Sequence, residues 1–423
     1  MKRALITSVF SLLVCAASFA QAIKGDWMGN LDLMGQKLPL VFHLNEGSGD
    51  CTMDSPNQGA KGVAAKIVKN SDSAIEIEVT MIGAKYAGEL KDGKIVGKFT
   101  QSGMSFDLDL TPGVVERKRP QTPQQPFPYK TEELSFTNDK DGAVLSGTLV
   151  TPANAKNAPL VVFVTGSGAQ NRDEEIFEHK PFAVIADRLA KSGIASFRYD
   201  DRGVGKSGGK RDDLTTDDFR QDALCAVKML RAKGVAKKIG IIGHSEGGLI
   251  AYMVAGEQPK DVNFIISLAG PALDGEKVMT LQINKTVDFA LKKVTETTGM
   301  AVTDEMKQTA YSASRAAVDK QLASPWYDYF LKYDPATVIS KIKCPVFAAF
   351  GSKDMQVVAQ DNVEALKKSL KVKPADKIKV YEGHNHLFQH APTGIQTEYA
   401  EIEETFSEEV IADIVAWIKA SVK

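Results

Sequence analysis

Ile239-Gly240-Ile241-Ile242-Gly243-His244-Ser245-Glu246-Gly247-Gly248-Leu249-Ile250 joins two kinds of pattern within twelve residues. The opening Ile-Gly-Ile-Ile is apolar on successive residues, as expected for a strand buried on both faces. Leu249 to Gly256 has the apolar spacing of a helix. Between them lies Gly-X-Ser-X-Gly. Alone, that pattern is weak, because one serine and two glycines recur by chance. Between a buried strand and a helix it is specific. The glycines permit a sharp strand-to-helix turn that exposes the hydroxyl of Ser245, and the helix N-terminus behind it favours developing negative charge. Ser245 is the expected nucleophile.

A serine hydroxyl needs a base at neutral pH, and in strand–turn–helix sites of this kind the chain order is serine, acid, histidine. Three histidines follow Ser245: His384, His386 and His390. All lie in one loop after the strand pattern Ile378–Tyr381. His384 directly follows Gly383 and His390 is more distant, which favours His386 without settling the choice. The order excludes His43 and His179, and His244, next to the nucleophile, is expected to point elsewhere. The acid should follow the preceding strand. Val346–Phe350 leads to Gly351-Ser352-Lys353-Asp354, so Asp354 is the candidate to hold the imidazole, ahead of Asp361 and Glu364, which fall in a helical pattern. Oxyanion donors are expected at the backbone amide of Glu246 and in Thr165-Gly166-Ser167-Gly168-Ala169 after the strand Leu160–Val164, at Ser167 or Gly168.

From about Lys130 onward, short apolar runs alternate with amphipathic segments. This predicts a mostly parallel α/β sheet covered on both faces, with a last helix from Ser407 to Lys419. Residues 274–341 separate two strands by more than a crossover needs. They are expected to form a helical cap over the strands' C-terminal edge, where ligands bind. The aromatic cluster in that segment makes Trp326, Tyr329 and Phe330 candidate substrate-binding residues. Arg198 to Ser207 is expected to be a structural turn in which Arg and Asp residues pair.

The first part differs. Residues 21–115 alternate apolar and polar residues in short runs broken by Gly, Asn, Asp and Ser, predicting a small antiparallel β domain, a curled sheet or barrel. Residues 116–129 hold four prolines and are expected to be a linker. Residues 1–20 have a basic start, an apolar run and Ser18-Phe19-Ala20. That is the pattern of a cleaved secretory signal, so an exported, periplasmic or secreted protein is expected. Val14 before Cys15 argues against lipid anchoring there.

With 423 residues, two domains are expected. A net charge of −1 offers no electrostatic footprint for nucleic acid, and no stable membrane insertion is expected. Beyond the leader, Cys51, Cys225 and Cys344 make no disulfide framework and no zinc spacing. No metal or cofactor is expected. The expected partner is a small molecule with an acyl group open to serine attack, and a homo-oligomer is compatible with the chain.

At these residues the chain resembles the α/β-hydrolase superfamily over about residues 130–423. The markers are Gly-His-Ser-Glu-Gly-Gly at 243–248, Asp-Arg-Gly-Val-Gly-Lys-Ser at 201–207, Asp354, and Gly383-His384-Asn385-His386 before Leu387-Phe388. More narrowly it looks like two-domain bacterial esterases of the EstD type, often described as serine aminopeptidase S33-like. Gly-Ser-Gly-Ala-Gln-Asn-Arg-Asp at 166–173, Asp54 to Gly59, Ser324-Pro325-Trp326 and Tyr333-Asp334-Pro335 support this. The resemblance implies a base at His386, a carboxylesterase acting on short acyl esters, and no cofactor. A peptidase, or a thioesterase or acyltransferase on coenzyme A esters, would use the same triad. A binding protein that has lost the chemistry is the remaining alternative, which the full set Ser245, Asp354 and His386 opposes.

Overall fold

A computed structural model describes residues 22–33, 36–44, 50–153 and 157–422. The expected leader lies outside them. The chain divides into two compact units, residues 1–116 and 117–423.

In the first unit, nine described strands form one antiparallel sheet: β1 Gly25–Leu33, β2 Gln36–Leu44, β3 Asp50–Ser55, β4 Ala60–Asn70, β5 Ala74–Val79, β6 Ala84–Lys91, β7 Lys94–Gln101, β8 Met104–Asp107 and β9 Thr111–Pro112. Sequential neighbours pair from β1 to β8. The chain from 104 to 112 pairs with β7 at its start, bridges Leu110 to Ile95, and ends on β1. The sheet therefore closes into a barrel, which removes exposed edges. Alternating residues point inward: Ile75, Ile77 and Val79 of β5 are buried and their neighbours are not. Tyr86 is buried among them, its hydroxyl within reach of the carbonyls of Ile95 and Leu108.

The second unit is built on an eight-stranded sheet. Its strands are β10 Lys130–Thr137, β11 Val144–Thr151, β12 Leu160–Val164, β13 Ala195–Tyr199, β14 Ile239–His244, β15 Phe264–Leu268, β16 Val346–Gly351 and β17 Lys377–Tyr381. The spatial order is β10-β11-β13-β12-β14-β15-β16-β17. β10 and β11 are antiparallel, and from β13 to β17 neighbours run parallel. The helices are α1 Pro181–Lys191, α2 Thr216–Ala232, α3 Glu246–Glu257, α4 Gly275–Thr298, α5 Asp304–Leu322, α6 Pro325–Lys332, α7 Ala336–Ile339, α8 Ala359–Ser369 and α9 Glu408–Ser421. β12 shows why its sequence is apolar throughout. Leu160, Val162 and Val164 pack in one core with α2 and α3, while Val161 and Phe163 pack in another with α1 and α9. A strand covered on both faces leaves no polar position.

Residues 116–129, expected as a linker, have neither helix nor strand, and from Arg117 onward they belong to the second unit and are pinned to it. Arg119 donates to the carbonyls of Phe177, Ala400 and Ile402, and Gln121 accepts from the amides of Thr405 and Phe406. The segment 274–341, expected as a cap, holds helices α4 to α7. Its aromatic cluster serves packing more than expected: Tyr327 and Phe330 are buried in the core shared with α3.

Candidate active site

Ser245, Asp354, His386 and the expected oxyanion loop each lie just past the C-terminal end of a parallel strand, whereas the candidate aromatics are on α6. Ser245 follows β14 and adopts φ 54°, ψ −121°, a conformation that costs strain and persists only where its surroundings enforce it. Its amide donates to the carbonyl of Leu268 at the end of β15, and its carbonyl accepts from Gly248. The glycines either side are required by contact. A β-carbon on Gly243 would lie 1.9 Å from the carbonyl oxygen of Gly247, and one on Gly247 would lie 2.0 Å from that of Val164.

Asp354 follows β16 and is buried. Its Oδ1 accepts from the amides of Gln356 (2.8 Å) and Val357 (2.9 Å), and its Oδ2 lies 2.7 Å from Nδ1 of His386. His386, also buried, sits in the loop after β17. That loop is organised by Asn385, whose Oδ1 accepts from the amides of Leu387 and Gln389 while its Nδ2 donates to Gln389. The other two histidines are engaged elsewhere: His384 Nδ1 with the carbonyl of Glu382, and the exposed His390 with Glu404. Of the three, His386 alone is paired with Asp354.

The loop after β12 holds Ser167 and Gly168, two of the residues expected to face an oxyanion. Asp201, at the end of β13, holds it: Oδ1 accepts from the Thr165 hydroxyl and Oδ2 from the amide of Gln170. Burial pushes this carboxyl up to about 7. Arg211 Nη2 donates to the carbonyl of Gly168. The Gly166 amide is already used, donating to Oε1 of Glu174 at 2.6 Å. Among the described residues the amides of Ser167 and Glu246 show no protein acceptor. The turn at Asp200 to Ser207 is a framework: Asp200 accepts three hydrogen bonds from Arg172, and buried Arg202 pairs with Asp222 and Asp141.

Ser245 and His386 line one cavity of about 200 Å³, with Gly166, Ser167, Ile176, Phe177, Leu387 and Tyr399 among its walls. Ser167 also borders a second cavity of about 460 Å³, walled by Gly168, Arg211, Phe219 and the cap residues from Gln321 to Trp326. Of the three aromatics expected to bind substrate, only Trp326 lines either cavity. Phe330 is stacked on Trp326 inside the core, and Tyr329 stacks on Tyr333. Their helix turns those two rings inward and sideways, a direction that composition cannot supply. Trp326 has a further job. Its indole N–H donates to Oε1 of the buried Glu246 side chain at 2.7 Å, as does the Thr216 hydroxyl at 2.6 Å. Burial raises that carboxyl above the usual range.

His244 departs from expectation. Its ring lies 4.8 Å from that of His386, Nε2 is 2.9 Å from the His386 carbonyl, and Nδ1 is 3.1 Å from Glu174. Glu174 lies outside every motif of the sequence, and only the fold brings it to this cavity.

No group of three or more His, Cys, Asp or Glu side chains among the described residues could hold a metal ion, and the three described cysteines are buried and free.

A family model described as serine aminopeptidase, S33, matches residues 178–392, just over half of the chain. The esterase EstD of Thermotoga maritima is 27% identical over 297 residues, covering 70% of this chain and 67% of its own. Among solved structures, the Pyrococcus furiosus esterase Pf2001 aligns over 70% of this chain and 94% of its own, with 21% identity and a TM-score of 0.46. Est1E of Butyrivibrio proteoclasticus, solved with ferulic acid bound, aligns over 68% of this chain and 99% of its own, with 19% identity and a TM-score of 0.44.

Proposed function

The chain belongs to the serine aminopeptidase S33 family of α/β-hydrolases, and on that premise we propose that it is a serine carboxylesterase acting on short acyl esters through Ser245, His386 and Asp354. One observation carries the reading. A serine in a strained strand-to-helix turn shares a cavity with a histidine whose far nitrogen is held 2.7 Å from a buried aspartate. The likeness to an esterase supports ester over amide chemistry.

In this mechanism His386 takes the proton of the Ser245 hydroxyl as the oxygen attacks the ester carbonyl. Asp354 keeps Nδ1 protonated, so Nε2 is the basic nitrogen, and it stabilises the imidazolium that forms. The amides of Glu246 and Ser167 receive the negative oxygen of the tetrahedral intermediate. The alcohol leaves with the proton from His386. Water, deprotonated by the same histidine, then attacks the acyl-enzyme and releases the acid. The cavity of about 200 Å³ at Ser245, with Ile176, Phe177 and Leu387 in its wall, suits a small acyl group.

The test is a panel of p-nitrophenyl esters from acetyl to palmitoyl, with aminoacyl p-nitroanilides alongside. Hydrolysis greatest on the short esters, and absent from Ser245→Ala, is the expected result. Faster turnover of the anilides, or of the long esters, would contradict the assignment.

A further inference from the structure

Beside the Asp354–His386 pair lies a second carboxylate and imidazole, Glu174 and His244, which the mechanism above leaves unused. Both are buried, 4% and 6% exposed. Between them they touch three catalytic elements. Glu174 Oε1 accepts from the Gly166 amide at 2.6 Å, on the oxyanion loop. The same oxygen lies 3.1 Å from Nδ1 of His244, at the end of the nucleophile strand. His244 Nε2 is 2.9 Å from the carbonyl of His386, on the base loop.

The carbonyl of His386 can only accept, so the Nε2 of His244 must carry a hydrogen. Its Nδ1 then faces a carboxylate. A bare lone pair there would be repelled, whereas an Nδ1–H would be attracted. Attraction to that carboxylate favours the ring that is protonated on both nitrogens. The Nδ1 contact has ion-pair distance without hydrogen-bond alignment, so charge does more here than direction. Burial alone would push the imidazole down, and the Glu174 carboxylate holds it above its ordinary value instead. Glu174 adopts φ 51°, a left-handed conformation uncommon for this residue type.

We propose that Glu174 and His244 form a positioning pair that fixes the distance between the oxyanion loop and the base loop across the nucleophile. Both line the cavity of Ser245 and His386, and the His244 ring lies against that of His386, but neither is hydrogen-bonded to the Ser245 hydroxyl or to a ring nitrogen of His386. Glu174 occupies the Gly166 amide, which leaves the next amide, Ser167, to receive the oxyanion. His244 holds the main chain of His386, while Asp354 holds its ring. This rests on the reading of Ser245 and His386 as nucleophile and base.

The experiment uses the full chain and p-nitrophenyl acetate, with Glu174→Ala, Glu174→Gln, His244→Ala, the Glu174→Ala/His244→Ala double variant and Ser245→Ala. Displacing reacting groups by a fraction of an ångström to 1 Å costs about 10- to 100-fold in rate. Each alanine variant should lose that much in kcat, with KM nearly unchanged. Glu174→Gln retains an acceptor for Gly166 and loses the charge facing His244, so its kcat should fall between wild type and Glu174→Ala. Because the two act as a unit, the double variant should lose no more than the worse single one. Wild-type kcat in folded Glu174→Ala overturns the proposal. So does a loss confined to KM, or single losses that multiply in the double variant. If Glu174→Ala does not fold, Glu174→Gln decides: wild-type kcat there overturns it equally. Ser245→Ala separates the two levels. Activity in that variant overturns the nucleophile assignment itself, whereas Glu174 variants with wild-type kcat beside a dead Ser245→Ala overturn only the positioning pair.

Discussion

At Asp354 the two carboxylate oxygens have different tasks. Oδ1 accepts two backbone amides of the turn that follows β16, and Oδ2 faces Nδ1 of His386. One aspartate thus both closes the turn and pairs with the imidazole. Asp354→Asn should keep the turn, because an amide oxygen can still accept, but its NH₂ would favour the wrong imidazole tautomer. We expect kcat to fall about 10⁴-fold with little change in folding, measured by ester hydrolysis beside circular dichroism. A tenfold loss or less would deny Asp354 its role. Ser245, Asp354 and His386 could be picked out of the sequence because each follows a legible strand in a fixed order. Glu174 and the direction of His244 could not. Glu174 has no motif, and the aim of a side chain at a strand end is set by neighbours far along the chain, as the contacts of His244 with Glu174, 70 positions before it, and His386, 142 after it, illustrate.

Helix α6 connects the segment 274–341 to the turn at Ser245. Ser324 caps it, accepting from the amide of Tyr327, and Trp326 on its first turn donates to Glu246. The sequence makes the cap recognisable by its length and aromatics. It does not say which aromatic reaches the site, because a helix of eight residues distributes neighbouring rings over all its faces. Trp326→Phe keeps most of the ring packing and removes the N–H. It leaves a buried carboxyl oxygen with one partner fewer, at a cost of about 1–3 kcal/mol. Urea unfolding should show that loss, and kcat should fall because the Glu246 amide sits on the same residue. Unchanged stability and unchanged kcat together would deny the tether. The stretch 117–129 teaches a similar lesson. Its prolines announce an irregular chain, but its docking depends on Arg119 finding three backbone carbonyls more than fifty residues away. The last helix begins at Glu408, after the expected cap residue, yet the Ser407 hydroxyl makes no capping bond; there the position was legible and the interaction was not.

Over the whole molecule, buried ionisable groups set the response to pH. His179 is fully buried between the Thr405 hydroxyl and the carbonyl of Tyr399, and burial pushes it down to about 4 from an ordinary value of 6.5. Between those values the unfolded chain binds a proton that the folded chain refuses. Stability contributed by neutral His179 is complete above about pH 6.5 and is lost as pH falls toward 4, on the order of 3 kcal/mol. Asp201, raised to about 7, has the opposite sign: the folded chain keeps its proton longer, so its contribution falls as pH rises from about 4 toward 7. A single-site comparison separates them. His179→Gln should be less stable than wild type at pH 7, and its melting temperature should decline less steeply between pH 6.5 and 4. Parallel declines in the two proteins would contradict the burial argument. At this scale the sequence was most informative. The alternation of strand and helix patterns, the barrel-like first part and the break between them follow from periodicity, because burial on one face or two leaves a direct mark on composition.

The central claim is that Ser245 carries the acyl group between two half-reactions. It is tested most directly by mixing the full chain with p-nitrophenyl acetate, quenching in acid within milliseconds to seconds, and locating the adduct by peptide mass spectrometry. One acetyl group on Ser245 is predicted, formed in a burst with p-nitrophenol release and absent from Ser245→Ala. An acetyl group on another residue, or a burst that survives Ser245→Ala, would contradict the account.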